Sequence, residues 1–255
     1  MSLVIIVSGV LRNMKNASSS WKFNGDYHLI TENNIYSTQS RKIESTLYDN
    51  MNLISDSFIK FRTVNICMDT DVHENFDPEI KTHPTINMVW KWKTAYYNIL
   101  PYYKNLNYDR ILLIRPDMYI INSDINDIIN NIKIEDKQIH ALKTLTYLPN
   151  LNGPWMPDMF LLMNIHTFEI MSFFYEYYVE TVRKGAKDDI HVALGKYVVE
   201  NNIIITEELS SYYSILTLRS NVSDFMFENG ILNKKYTLQE LGLINDEYYK
   251  NLWKH

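Results

Sequence analysis

The chain has 255 residues, of which 46% are apolar and 22% charged, and a formal net charge of −5. That is enough to bury a sizeable core in one large α/β domain, or one domain with a small appendage. The acidic balance excludes a nucleic-acid binder that works by neutralising phosphates. The single cysteine, Cys67, excludes both an internal disulfide framework and a cysteine-based zinc cluster.

In chain order, the apolar stretch Leu3 to Val7 reads as a first buried strand, ending at Ser8-Gly9 with Arg12 just beyond. It is too short for a signal peptide or a membrane span and has no basic residue before it. The expectation is a soluble chain without a transmembrane segment, resident in the reducing cytoplasm. Ser18 to Phe23 is expected to form a helix, and Asp26–Thr31 alternates β-branched and aromatic residues as a second strand. Ile43, Leu47, Met51, Ile54 and Phe58 recur at spacings of three and four, which predicts an amphipathic helix over 41–60. Thr63–Met68 is a third strand, with Cys67 as a small core residue. Ile86 to Tyr103 is a Trp- and Tyr-rich helix stopped near Pro101, and Arg110–Ile114 is a fourth strand. Helices alternating with short apolar strands imply a mostly parallel sheet with right-handed crossovers.

Further on, Ser123-Asp124 cap a short helix over Ile125–Ile132. Strands are expected at Gln138–Thr144, Met159–Met163 and Ile203–Thr206, and helices at Phe168–Arg183 and Ile190–Asn201. Residues 1–232 read as one domain. Residues 233–255, with Leu238, Leu241, Leu243, Tyr248, Tyr249, Leu252 and Trp253, read as a helical tail packed back upon it.

The most informative segment is Ile111 to Ile114, an apolar run halted by Arg115-Pro116-Asp117. Four apolar residues bounded by polar ones suit a strand buried on both faces, and Pro116 cannot donate to a ladder. Asp117 therefore falls at the carboxyl end of a central strand, where open α/β sheets bind ligands. A carboxylate fixed beside a guanidinium suits a divalent cation with a phosphate. The same residues also suit a turn whose aspartate caps the next element.

Ser8-Gly9 with Arg12, three βα units, and a fourth strand ending in an acidic motif resemble the GT-A-fold glycosyltransferases, over roughly residues 3–206. Tyr-Asp-(apolar)-Arg-Pro-Asp after an aromatic-rich helix is similar to a viral and bacterial branch of these enzymes. The resemblance implies transfer of a sugar from a nucleotide-diphospho-sugar donor, of UDP or GDP type, to a glycan or other hydroxyl acceptor, assisted by Mn²⁺ or Mg²⁺. Asp117 then matches the second, metal-ligating carboxylate of the family's Asp-x-Asp, and Arg115 stands where the first would be. Arg115 in that place offers a direct contact to the diphosphate. Ser8, Gly9 and Arg12 fall toward the nucleotide phosphates, and Thr31 and Glu32 toward the base or ribose. The late helix start at Asp189 is the family's place for a base that takes the acceptor proton. Asp158, in the Gly-Pro-Trp loop before a strand, is the second choice, and His191 is a further candidate metal ligand. Read without the family, Asp188 or Asp189 is a helix cap, Asp158 a turn residue and His191 a helix histidine.

Two other readings stand beside this one. Asp69-Thr70-Asp71 after an apolar strand is similar to the nucleophile motif of haloacid-dehalogenase-type phosphatases. Asp69 would then attack phosphorus, Asp71 act as acid and base, and Asp188-Asp189 hold Mg²⁺. Two strands precede that motif here, and Val72-His73 follow it where the family has Gly-Thr. The missing first carboxylate motivates the other reading, a module that binds nucleotide sugar or glycan without turnover.

Overall fold

The computed structural model describes residues 2–9, 11, 14–32, 35–38, 41–43, 47–67, 86–106, 108–120, 124–142, 145–147, 153–158, 160–185, 189–206, 209, 215–217 and 226–227. Arg12, the Asp69/Asp71 pair, Asp188 and the tail at 233–255 lie outside them. The first half runs β1 (Ser2–Ser8), α1 (Met14–Ser18), β2 (Gly25–Glu32), a hairpin of β3 (Ile35–Thr38) and β4 (Arg41–Ile43), α2 (Leu47–Ser55), β5 (Thr63–Cys67), α3 (Ile86–Leu106) and β6 (Tyr108–Ile114). Then come β7 (Met118–Ile120), α4 (Asp124–Asn131), β8 (Gln138–Ala141), β9 (Thr146–Tyr147), β10 (Pro154–Trp155) and β11 (Phe160–Met163). The remainder is α5 (Ile165–Ser172), α6 (Phe174–Arg183), α7 (Ile190–Glu200), β12 (Ile204–Thr206), β13 (Ile215–Thr217) and β14 (Met226–Phe227).

The class is α/β, with a mostly parallel central sheet flanked by helices. Seven strands lie in the order β12-β8-β11-β6-β1-β2-β5. Strands β6, β1, β2 and β5 are mutually parallel, as are β8 and β12, whereas β11 runs antiparallel to both its neighbours. Alternation along each strand sends side chains to two cores. Leu3, Ile5, Val7, Leu112 and Ile114 pack with Met14, Leu53, Ile125 and Ile129, so α1, α2 and α4 cover one face. Val4, Ile6, Ile111 and Leu113 pack with Val89, Trp92, Phe168, Tyr178 and Leu194, so α3, α5, α6 and α7 cover the other. A run buried on both faces is what Ile111–Ile114 predicts.

Several element limits differ from expectation, each for a local reason. The helix expected over Ser18 to Phe23 lies earlier, at Met14–Ser18. Ser18, Ser19 and Ser20 turn their hydroxyls back onto the carbonyls of Lys15, Asn16 and Ala17 and end it. The helix expected over 41–60 is shorter, because Arg41–Ile43 pairs with Ile35–Thr38 as a hairpin. Helix α3 passes through Pro101 to Leu106; the packing of Trp92, Ala95 and Tyr96 in the core offsets the cost of one proline. The single helix expected over Phe168–Arg183 is two, with Asn164 capping the first through the Thr167 N–H at 2.8 Å.

Candidate functional site

The sheet order sets the site. From β1 the chain steps outward to β2 and β5, then returns to place β6 on the other side of β1. The order therefore reverses between β1 and β6, and at such a switch point the connections diverge and leave a crevice beyond the carboxyl ends of the strands. Ser8-Gly9 closes β1 and Arg115-Pro116-Asp117 follows β6, so the two sequence motifs flank this one crevice.

The two strand ends touch. Gly9 has φ +145°, a region open essentially to glycine, and a Cβ there would lie 2.8 Å from Cδ of Pro116. Its N–H donates to the Ile30 carbonyl on β2 at 3.1 Å. Ser8 is buried, and its hydroxyl has no hydrogen-bond partner among the described residues. An unsatisfied buried hydroxyl costs roughly 1–3 kcal/mol, a cost that a ligand at this edge would remove.

Across the crevice, the Arg115 carbonyl accepts from the Met118 N–H at 3.2 Å, which makes 115–118 a β-turn with Pro116 at its second position. The turn is pinned from α1's end of the chain. The Trp21 indole donates to the Met118 carbonyl at 2.6 Å, and the Ile120 N–H donates to the Ser20 hydroxyl at 2.8 Å. Within the turn, Arg115 Nε donates to Asp117 Oδ1 at 3.0 Å and Nη2 to Oδ2 at 2.6 Å, a bidentate pair. The Asp117 side chain is 2% exposed and that of Arg115 21%.

The antiparallel β11 brings a second group to the same edge. Phe160 pairs with Ile114, so Asp158, two residues earlier, lies at the end of the sheet where Pro116 follows β6. Asp158 is buried, and its Oδ1 has no hydrogen-bond partner among the described residues but sits 3.9 Å from Nδ1 of His191. That Nδ1 is 3.0 Å from the Met156 carbonyl, and the Trp155 ring lies over the imidazole with centroids 5.0 Å apart. Asp189, exposed, is the N-cap of α7, its Oδ1 accepting from the His191 N–H at 2.8 Å. Close packing holds this helix in place: a Cβ on Gly195 would meet the Pro154 carbonyl oxygen at 2.1 Å. Asp158 and Asp189 are thus both tied to His191, the first to its ring and the second to its backbone N–H.

The expected base- or ribose-binding pair behaves differently. Thr31 is fully enclosed, its hydroxyl 3.4 Å from the Glu32 carbonyl. Glu32 at the end of β2 accepts from Lys91 Nζ of α3 at 2.6 Å, in a buried ion pair. Lys91 was missed in the sequence, although a signal exists. It stands four residues before Ala95 and three after Met88, on the helix face that packs inward.

Both candidate metal ligands among the described residues, Asp117 and His191, are already engaged. Among the described residues no three His, Cys, Asp or Glu side chains gather where a metal could sit. Asp117 presents both oxygens to Arg115, and His191 is engaged with Met156, Asp158 and Trp155.

No known family matches the sequence, and no curated protein matches it. Among solved structures the chain is similar to the galactosyltransferase LgtC in complex with donor and acceptor sugar analogues. The identity is 9%, the TM-score is 0.47, and the match covers 76% of this chain and 70% of that one. Among the described residues no helix is long and apolar enough to cross a membrane.

Proposed function

We propose that this chain is a glycosyltransferase that moves a sugar from a nucleotide-diphosphate-sugar donor, of UDP or GDP type, to a hydroxyl of a glycan or other acceptor. One observation carries the reading. Arg115, the Gly9 backbone, Ser8 and Asp158 all lie at strand ends on the carboxyl edge where the strand order reverses, and among the described residues Ser8 Oγ and Asp158 Oδ1 are buried without a hydrogen-bond partner. A guanidinium suits a diphosphate, and a carboxylate oxygen without a hydrogen-bond donor suits a hydroxyl.

In this reading the acceptor oxygen attacks the anomeric carbon as the bond to the diphosphate breaks. Arg115 stabilises the charge that gathers on the leaving nucleoside diphosphate. Asp158 takes the acceptor proton, with His191 beside it. Asp189 is assigned to capping, because its Oδ1 already holds a helix N–H. The phosphatase alternative draws no support from the sheet: β5, the strand before Asp69, is an edge strand two places from the switch point.

The test is calorimetry of UDP and GDP sugars with the purified chain, followed by a transfer assay over a panel of glycan acceptors. Binding together with transfer supports the reading. Binding without transfer over the whole panel makes the chain a non-catalytic nucleotide-sugar module, and no binding overturns the reading.

A further inference from the structure

We infer that Arg115 is the resident cation of this site, and that the chain binds a nucleoside diphosphate without a divalent metal. The inference rests on the nucleotide-sugar reading above and deepens it.

Three observations point the same way. Both oxygens of Asp117 accept from Arg115, at 3.0 and 2.6 Å, so a metal at that carboxylate must displace a bidentate, charge-assisted pair. The guanidinium, 21% exposed, keeps some access to solvent, whereas the carboxylate it holds is 2% exposed, with little surface left for a hydrated ion. Among the described residues no second and third ligand gathers to complete a shell, and hard cations such as Mg²⁺ demand near-octahedral oxygen coordination.

The chemistry is self-consistent. A planar guanidinium matches phosphate oxygens bidentately and keeps its charge at every accessible pH. Asp117 is then a positioning residue: it fixes the Nε edge of Arg115 and sets which edge faces the ligand. The β-turn with Pro116 and the contact of Gly9 on that proline hold the pair at the end of β1.

The experiment is calorimetric titration of UDP and of GDP into the metal-stripped chain, in EDTA and separately in Mn²⁺. The inference expects affinities that agree within about threefold between the two conditions. It expects Arg115→Gln to weaken binding about tenfold or more, the usual scale for losing a charge-assisted hydrogen bond, and Arg115→Lys to recover part of it. Thermal unfolding of each variant shows that it is folded, and the comparison on the unaltered chain needs no variant at all. Binding seen only with Mn²⁺, or unchanged in folded Arg115→Gln, overturns the inference while leaving the nucleotide reading intact. Absence of binding in every condition overturns both.

Discussion

Gly9 and Pro116 are locked together: the glycine at the end of β1 leaves no room for a Cβ, which would lie 2.8 Å from Cδ of the proline that follows β6. Two strand ends distant in sequence thereby share one tight contact, which fixes their positions relative to each other. Gly9→Ala should cost about 1–3 kcal/mol from the backbone conformation, and more where the rigid proline ring cannot yield to the new Cβ. Urea unfolding measures it. A variant as stable as the parent would mean that the strand ends are free to separate.

The two carboxylates tied to His191 differ in what they have left to do. Asp158→Asn should lower transfer turnover by roughly 10²–10⁴-fold, the scale of general base catalysis, with donor affinity nearly unchanged. Asp189→Asn should leave turnover close to the parent, since Asn caps a helix about as well as Asp. Steady-state kinetics of both variants decide it. The reverse ranking would return the base to the helix start.

At the end of β2, Lys91 and Glu32 form a buried pair at 2.6 Å. Lys91→Met removes the cation and should destabilise the fold by about 3–5 kcal/mol, as breaking one side of a buried pair does. Combining it with Glu32→Leu should recover most of that loss, because apolar replacements of both partners are often neutral. Denaturant midpoints of the single and double variants test the coupling, which independent effects would not reproduce.

His28 makes stability depend on acid. It is buried on β2 with Nδ1 2.7 Å from the Thr63 hydroxyl. Burial lowers its pKa from 6.5 to about 4, against the pull of Asp26 and with help from Arg62. Between those values the unfolded chain carries a proton that the folded chain does not, so stability rises with pH across the window. The contribution is fully present above about pH 6.5 and is lost progressively toward pH 4, about 3 kcal/mol in all. Urea titrations at pH 7, 5.5 and 4.5 should show the decline, and His28→Asn should flatten it.

The strand ends that form the candidate site were legible because their chemistry is local. Glycine before an abrupt end of an apolar strand, and proline between arginine and aspartate, state their own backbone limits, and both motifs lie at the crevice. Lys91 was not legible as a partner of Glu32, because an ion pair across 59 residues leaves no mark in either neighbourhood. Nor was the capping of α7 distinguishable from catalysis, since an aspartate before a helix suits both.

The sequence by itself determined the class of fold. Short apolar runs alternating with periodic helices can bury their surfaces only as a sheet covered on two sides, and Ile111–Ile114 had to lie inside it. What the tertiary structure alone decided was direction and neighbourhood. Phe160–Met163 is as apolar as its parallel neighbours, yet it runs against them, and nothing in four apolar residues records which way a strand points. That reversal brings Asp158 to the edge where Arg115 lies. Equally, the Arg-Pro-Asp segment reads the same whether its carboxylate faces an ion or its own arginine. In the tertiary structure the buried Asp117 faces its own arginine, with Arg115 Nη2 2.6 Å from Oδ2.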